Sequence, residues 1–298
     1  MVTSVMNFPD RGKWGKSSWR GNCSGHVLKT LFEQYKPTSF VDCMCGSNTS
    51  IDVARDLKIP FAVGLDLHSG FNAIKNSIHE KVGRQVDMVF SHPPYLSAVL
   101  YSGNMWGEPH PDDLSRCESE EDFHEKLHLV LMNQREATLP GGIYATLVGD
   151  VRKDGRYYSL QSECISRMPA NELASVIIKT QHNTVSGRNT YSNMKHAFIA
   201  HEYLLLWQKP KAPLSLLVDL SAMATQQAKR LKGVWSVIVA HAMMALGGKA
   251  SLNDLYQKIA EAAPDKLQAN ENWKAKVRQT LQLYPKFNPV ERGVWALA

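Results

Sequence analysis

Three short apolar runs, each ended by a different polar or proline-bearing turn, most constrain what this chain can fold into. The first, Ser39-Phe40-Val41-Asp42-Cys43-Met44-Cys45, stops at Gly46, and the following Ser50–Leu57 has helical spacing. The second spans Pro60–Leu67 and closes on Asp66, and the third, Val86–Phe90, runs into Ser91-His92-Pro93-Pro94-Tyr95. Apolar runs of this length bounded by turn residues read as buried strands. A helical pattern over Phe123–Leu139 is expected to end at Pro140-Gly141-Gly142, after which Ile143–Asp150 resumes as a strand. Ala174–Gln181 and His201–Gln208 are the last two strand candidates of this part, with a polar loop from His182 to Lys195 between them. Strands alternating with helices predict an α/β domain with a mostly parallel sheet, in which ligands sit at the carboxyl ends of the strands.

Of the 298 residues 44% are hydrophobic and 21% charged, enough for a sizeable core, which excludes disorder over most of the chain. The net charge of +6 is unevenly spread, because residues 209–298 carry thirteen Lys and Arg against six Asp and Glu. A near-neutral first part is thus joined to a basic tail, the usual footprint of a polyanion-binding unit. Two prolines and two lysines at 209–213 mark a connection. The expected division is a domain over 1–209, a linker over 210–230 and a second domain over 231–298. No apolar run reaches eighteen residues and the N-terminus lacks a secretory pattern, so no membrane contact and a cytoplasmic location are expected. Five cysteines with no second Cys/His pair beside Cys43 and Cys45 predict reduced thiols and no metal.

Each of the first three strands ends in a feature that can carry chemistry. The turn Asp42-Cys43-Met44-Cys45-Gly46-Ser47-Asn48-Thr49-Ser50 enters a helix N-terminus whose free donors can meet a ligand's polar groups. Asp66 can accept hydrogen bonds from both hydroxyls of a ribose, or serve as an ordinary helix cap. His92-Pro93-Pro94-Tyr95 is the most specific of the three, since two prolines end the strand ladder and fix the flanking groups, and the tyrosine offers a flat face. Such a turn suits an enzyme that stacks an extruded base and holds its exocyclic amine.

Together these segments resemble the S-adenosylmethionine-dependent amino-methyltransferases of DNA, which modify N6 of adenine or N4 of cytosine. Asp42–Ser50 resembles that family's cofactor turn, Asp66 its ribose-binding acid, and Ser91–Tyr95 its catalytic Pro-Pro-aromatic motif. Trp19–Gly25 resembles the segment that cradles the methionine end, and the resemblance runs to Lys209 in the family's gamma-like motif order. It implies a Rossmann-like sheet and S-adenosyl-L-methionine as cofactor. The residues implied to hold the cofactor are Asn22, Ser24, Asp42, Cys43, Met44, Cys45, Gly46, Asn48, Thr49, Ser50, Asp66 and Leu67. His92, Pro93, Pro94 and Tyr95 are implied to be catalytic. The chain departs from the family's pattern at Cys43 and Asn48, which stand for a proline and a glycine, and at His92, which stands for Asp, Asn or Ser. Neutral imidazole still offers one acceptor nitrogen to a target amine, so activity is expected to fall as His92 protonates.

The tail reads as three helices and a ribbon with a turn near Glu291–Gly293, an order that resembles a winged helix-turn-helix domain. Lys274, Lys276 and Arg278 cluster within two helical turns, as a groove- or phosphate-binding helix places them. Lys286 and Arg292, and Arg188, Asn189 and Tyr191 in the polar loop, complete the expected DNA contacts. A second polar stretch, Asn104–Asp113, is also expected to approach DNA. The reading at this point is site-specific adenine-N6 methylation of double-stranded DNA. Cytosine-N4 methylation, RNA methylation and a regulator that lost catalysis at His92 remain as alternatives. A homodimer and a separate restriction endonuclease stay open as further partners.

Overall fold

In the computed structural model, residues 3–182, 196–212, 224, 235–262 and 272–298 are described. The chain divides into two compact units, Met1–Leu214 and Ser215–Ala298. The expected linker lies, apart from 210–212 and 224, outside the described residues, as do Arg188, Asn189 and Tyr191.

The first unit contains β1 (Val5–Met6), α1 (Gly25–Tyr35), β2 (Ser39–Asp42), α2 (Thr49–Asp56), β3 (Phe61–Gly64), α3 (Ile78–Val82) and β4 (Val86–Ser91). It continues with α4 (Glu120–Ala137), β5 (Thr138–Val148), β6 (Val151–Lys153), β7 (Arg156–Tyr158), α5 (Leu160–Ser166), β8 (Leu173–Thr180) and β9 (His201–Gln208). Seven strands form one sheet in the order β1-β8-β9-β5-β4-β2-β3. Every neighbouring pair in it is parallel except the two that involve β9, which runs against both β5 and β8. This is the expected Rossmann-like α/β class with a mostly parallel sheet.

Side chains alternate across the sheet and both faces are covered. Phe40, Met88, Phe90, Ala145, Leu204 and Leu206 pack with Val27, Leu28, Leu31 and Phe32 of α1 and Val53 and Ala54 of α2. The alternate residues Val41, Val89, Tyr144, Leu205 and Trp207 are fully buried on the other face, where α4 lies against β4 and β5. The chain leaves β2 for β3 on one side and returns to β4 on the other, so a crevice opens at the carboxyl ends of β2 and β4.

The structure corrects several boundaries: β2 ends at Asp42 and β3 at Gly64, so Cys43–Cys45 and Asp66 lie in the turns beyond them, where Asp66 caps a short 3-10 turn. The helix expected to reach Leu139 ends at Ala137, and β5 begins at Thr138, which pairs with Val86 before the register shifts to Met88 opposite Ile143. The Thr138 hydroxyl donates to the Gln134 carbonyl, and the Pro140-Gly141-Gly142 stretch is absorbed as an irregularity inside the strand.

In the second unit, residues 235–245 are helical (α6) and lead to β10 (Lys249–Ser251), α7 (Leu252–Ala262), α8 (Trp273–Leu283), β11 (Phe287–Glu291) and β12 (Val294–Leu297). The three strands form an antiparallel sheet in the order β10-β12-β11. Ser251 and Asp254 cap α7 reciprocally, each side chain accepting the other's backbone N–H. Val239, Met243, Leu255, Ile259, Val277, Leu281 and Phe287 form the core of this unit. Among the described residues no helix is long and apolar enough to cross a membrane.

Candidate active site

The carboxyl ends of β2, β3 and β4 border a cleft of about 870 Å³ including its open mouth. Its lining includes Asn22, Asp42, Cys43, Met44, Cys45, Gly46, Thr49, Ser50, Asp66, Leu67, His92 and Pro94. Segments far apart in sequence thus meet at one place. Ser24, Asn48, Pro93 and Tyr95 are not part of this lining.

Asp42 ends β2 with its carboxylate buried, accepting from the Met44 N–H at 2.9 Å and from the Ser50 hydroxyl. Burial pushes its pKa up to about 7 against the pull of these two donors. A carboxyl group whose folded pKa lies above its unfolded value stabilises the fold fully below the unfolded pKa, near 4, and loses that contribution as pH rises through 7. Between pH 4 and pH 8 this contribution runs against that of His92, whose lowered pKa makes stability rise with pH between about 4 and 6.5. Asp42→Asn removes only the falling part, so its melting temperature relative to the wild type should climb as pH rises from 4 to 8; a difference that stays constant with pH would show that Asp42 does not titrate in this window.

Asn48 occupies the left-handed region at φ 67° as the N-cap of α2. Asn is among the few residues besides glycine that tolerate this conformation, which explains how it replaces the glycine of the family pattern. Gly46, at φ 47°, brings its backbone so close to Trp19 that an added Cβ would lie 2.8 Å from the indole nitrogen. The Gly46 N–H donates to Asp66 Oδ2 at 2.8 Å, and Asp66 Oδ1 accepts from the His68 backbone N–H at 3.0 Å. The His68 ring lies 2.7 Å from the same oxygen, and this hydrogen bond raises the His68 pKa. Asp66 is thus both the expected cap and a cleft residue. Trp19 lies 5.0 Å and Trp106 6.4 Å from the His68 ring, so aromatic surface flanks the carboxylate.

Ser24 caps α1, accepting from the His26 N–H and donating to the Asp10 carbonyl. Asn22 bridges two loops, donating to the Lys16 carbonyl and accepting from the Ser47 hydroxyl. Burial pushes the thiols of Cys23, to about 12, and of Cys43 and Cys45 upward, so all three stay protonated at neutral pH. Asp113, expected near DNA, is instead buried, where it organises Ser102 and Ser115. Asp112 accepts from Asn72 and pairs with Lys75.

β4 ends at Ser91, immediately before His92. His92 Nε2 lies 2.8 Å from the Tyr95 hydroxyl, which donates to Glu202 Oε1 at 2.7 Å, and Lys179 Nζ meets Glu202 Oε2 at 2.7 Å. Burial lowers the His92 pKa to about 4, so the ring is neutral at pH 7. The Tyr95 ring packs on the Gly149 backbone so tightly that a Cβ there would lie 2.6 Å from it.

Sequence reasoning missed Lys179 and Glu202, buried charges inside otherwise apolar strands. It also missed the exposed β6–β7 hairpin, which carries Arg152, Lys153, Arg156 and Tyr157 on its surface. Asp150 anchors the hairpin through the Tyr157 hydroxyl, and Lys153 Nζ reaches Ser97 Oγ just beyond the Pro-Pro-Tyr turn at 3.3 Å. In the second unit Lys274, Lys276, Arg278 and Arg292 are exposed, while Lys286 is half-buried beside Phe287. Lys274 lies over the rings of Tyr256 and Trp273.

No family model matches the chain, and a comparison with curated proteins finds no match. Among solved structures it is similar to a protein of Thermus thermophilus, provisionally named a DNA modification methylase and solved with S-adenosyl-L-methionine. That match has 20% identity over 59% of this chain and 58% of that one, at TM-score 0.30. A protein of Listeria monocytogenes, provisionally named a class I S-adenosylmethionine-dependent methyltransferase, matches at 18% identity over 64% and 61%, TM-score 0.38. A Methanosarcina mazei chain named as a SAM-dependent methyltransferase matches at 12% identity over 61% and 98%, TM-score 0.37. The chain spans 55% and 58% of the length of two Thermus chains it matches. At these TM-scores the likenesses carry no inference about activity.

Proposed function

We propose that this chain transfers a methyl group from S-adenosylmethionine to N6 of adenine in double-stranded DNA. The observation that carries the reading is the convergence of residues of the Asp42–Ser50 turn, Asp66, His92 and Pro94 on one cleft at the switch point of the sheet. The cleft suits the cofactor. Thr49 lines it at the N-terminus of α2 with a buried hydroxyl that has no hydrogen-bond partner, and Asp66 offers carboxylate oxygens to ribose hydroxyls beside aromatic surface. When bound, the cofactor supplies a methyl group on a sulfonium.

An exocyclic amine is a weak nucleophile because its lone pair is delocalised into the ring. Neutral His92, which lines the cleft, can accept a hydrogen bond from the amine, favouring a pyramidal nitrogen whose lone pair is free for attack; as the N–C bond forms and the methyl carbon's bond to sulfur breaks, the nitrogen sheds one proton to solvent. Positioning and electrostatics then do most of the work. Protonated His92 cannot accept, so kcat should stay level from neutral pH down to about 5 and fall as pH drops through about 4. A profile that instead breaks near pH 6.5 would mean that His92 is not the group in question.

The charge arrangement supports DNA as the substrate. The β6–β7 hairpin presents three cations and an exposed tyrosine and is tied to the segment after Tyr95. The order helix, strand, helix, helix, hairpin over 235–298, with β10 against β12, supports the winged-helix reading of the second unit. Each phosphate contact contributes about 0.9 to the slope of log affinity against log salt. Replacing Lys274, Lys276 and Arg278 together by Ala should therefore flatten that slope by about 2 to 3, and an unchanged slope would remove α8 from DNA contact. The reading as a whole is tested by incubating the chain with methyl-labelled cofactor and either duplex DNA or structured RNA. Label is expected in DNA; label confined to RNA would overturn it.

A further inference from the structure

We propose that Lys179, Glu202 and Tyr95 form a hydrogen-bond chain that fixes the tautomer of His92, placing the proton on Nε2 and leaving Nδ1 as the acceptor that meets the target amine. The last clause rests on the proposed methyl transfer; the tautomer itself does not.

The chain can be followed proton by proton. Lys179 and Glu202 are direct partners across the antiparallel pair β8 and β9, and both side chains are about nine-tenths buried. An ammonium only donates, so Lys179 takes one carboxylate oxygen, Oε2. Burial pushes the Glu202 carboxyl up, but the Lys179 charge and the hydrogen bonds from Lys179 and Tyr95 outweigh it and hold Glu202 ionised. Its other oxygen, Oε1, can only accept, and the Tyr95 hydroxyl is 2.7 Å away. Burial and the adjacent carboxylate keep the phenol protonated, so its single proton points at Glu202.

The Tyr95 oxygen therefore turns lone pairs toward His92 Nε2 at 2.8 Å. A bare Nε2 would set lone pair against lone pair at that distance, so Nε2 must carry the hydrogen. A neutral imidazole has one proton on its nitrogens, which leaves Nδ1 unprotonated. His92 lines the cleft, and Tyr95 is its hydrogen-bond partner among the described residues. Cys23 and Tyr101 also lie near this cluster with their protons retained, and add no charge to it. Glu202 and Lys179 are thus positioning residues acting through Tyr95. They explain how histidine can serve where the family pattern has Asp, Asn or Ser, whose acceptor oxygens need no tautomer to be chosen.

The test is nitrogen-15 NMR of the full chain labelled at histidine, with His92 assigned by its loss in His92→Asn. The wild type is expected to show Nε2 protonated and Nδ1 bare at pH 7. In Glu202→Gln, Lys179 still only donates and so selects the amide oxygen, turning the amide NH2 toward Tyr95. The Tyr95 proton is then redirected to His92 Nε2, and the ring switches to protonated Nδ1. The signals of the two nitrogens should exchange, and kcat should drop about 100-fold with the cofactor KM unchanged. Adding Tyr95→Phe should abolish the exchange, because no donor then faces Nε2. A wild-type ring protonated at Nδ1 overturns the proposal, as does an unexchanged spectrum in folded Glu202→Gln. If that variant does not fold, the wild-type spectrum alone decides. Exchange of the signals in a protein that methylates nothing would keep the proton chain and overturn the methyl-transfer reading instead.

Discussion

Replacing His92 by Ala is expected to slow methyl transfer by about 10²- to 10³-fold, the usual cost of deleting one preorganised polar group at the reacting atom. Cofactor affinity should not change, because in the proposed complex His92, directly after β4, meets the target amine, whereas the turn that starts at Asp42, the last residue of β2, and Asp66, two residues past β3, hold the cofactor. Single-turnover rates with saturating cofactor separate the two effects. A variant that transfers at the wild-type rate would show that His92 does not touch the reacting nitrogen, and the Pro-Pro-Tyr turn would then be no more than a rigid corner.

Asp66→Ala should give the converse. Its carboxylate accepts the Gly46 N–H and two donors of His68, and in the proposed complex it also accepts from the ribose. Hydrogen bonds to a charged group contribute about 1.5–3 kcal/mol, so cofactor Kd should rise about 10- to 150-fold. The rate at saturating cofactor should move much less. Calorimetric titration with S-adenosylmethionine reads the first quantity directly, and an unchanged Kd would take Asp66 out of the cofactor site. Opposite signatures at His92 and Asp66 would divide the cleft into a reacting end and a holding end.

β2 and β4 were legible because each is an apolar run buried on both faces, a signal that needs no partner to be read, while β3, at the sheet edge, is half-buried along its length. β2, β3 and β4 start within one residue of where their composition puts them, β2 and β3 end earlier, and the turns that follow carry the chemistry-bearing residues, with Asp66 two residues past β3 and His92 directly past β4. What escaped was short, exposed or relational. β1 and β10 have two and three residues, too few for any period to show. The β6–β7 hairpin is largely solvated and so lacks the apolar alternation that marks a half-buried strand. β5 starts before a Pro-Gly-Gly stretch that normally ends an element, because Thr138 can pair with Val86 before the irregularity.

The proton chain shows the deepest limit. Lys179 and Glu202 each read as an ordinary polar position in a strand, and only the register of β8 against β9 makes them partners. Tyr95 was expected to stack on a base, and its hydroxyl and ring also meet Glu202 and Gly149, contacts to residues 107 and 54 positions away that no local motif encodes. Asn48 runs the other way: its departure from the family pattern is resolved by a single backbone angle, φ 67°, which Asn and Gly share.

Methylation of an exocyclic adenine amine in this cleft leaves its mark in the product nucleosides. Duplex DNA incubated with the chain and S-adenosylmethionine, digested to nucleosides and analysed by mass spectrometry, tests it most directly. N6-methyladenine that disappears with His92→Ala is the result predicted here. N4-methylcytosine alone would move the claim to the other amine, and DNA without any methylated nucleoside would contradict it.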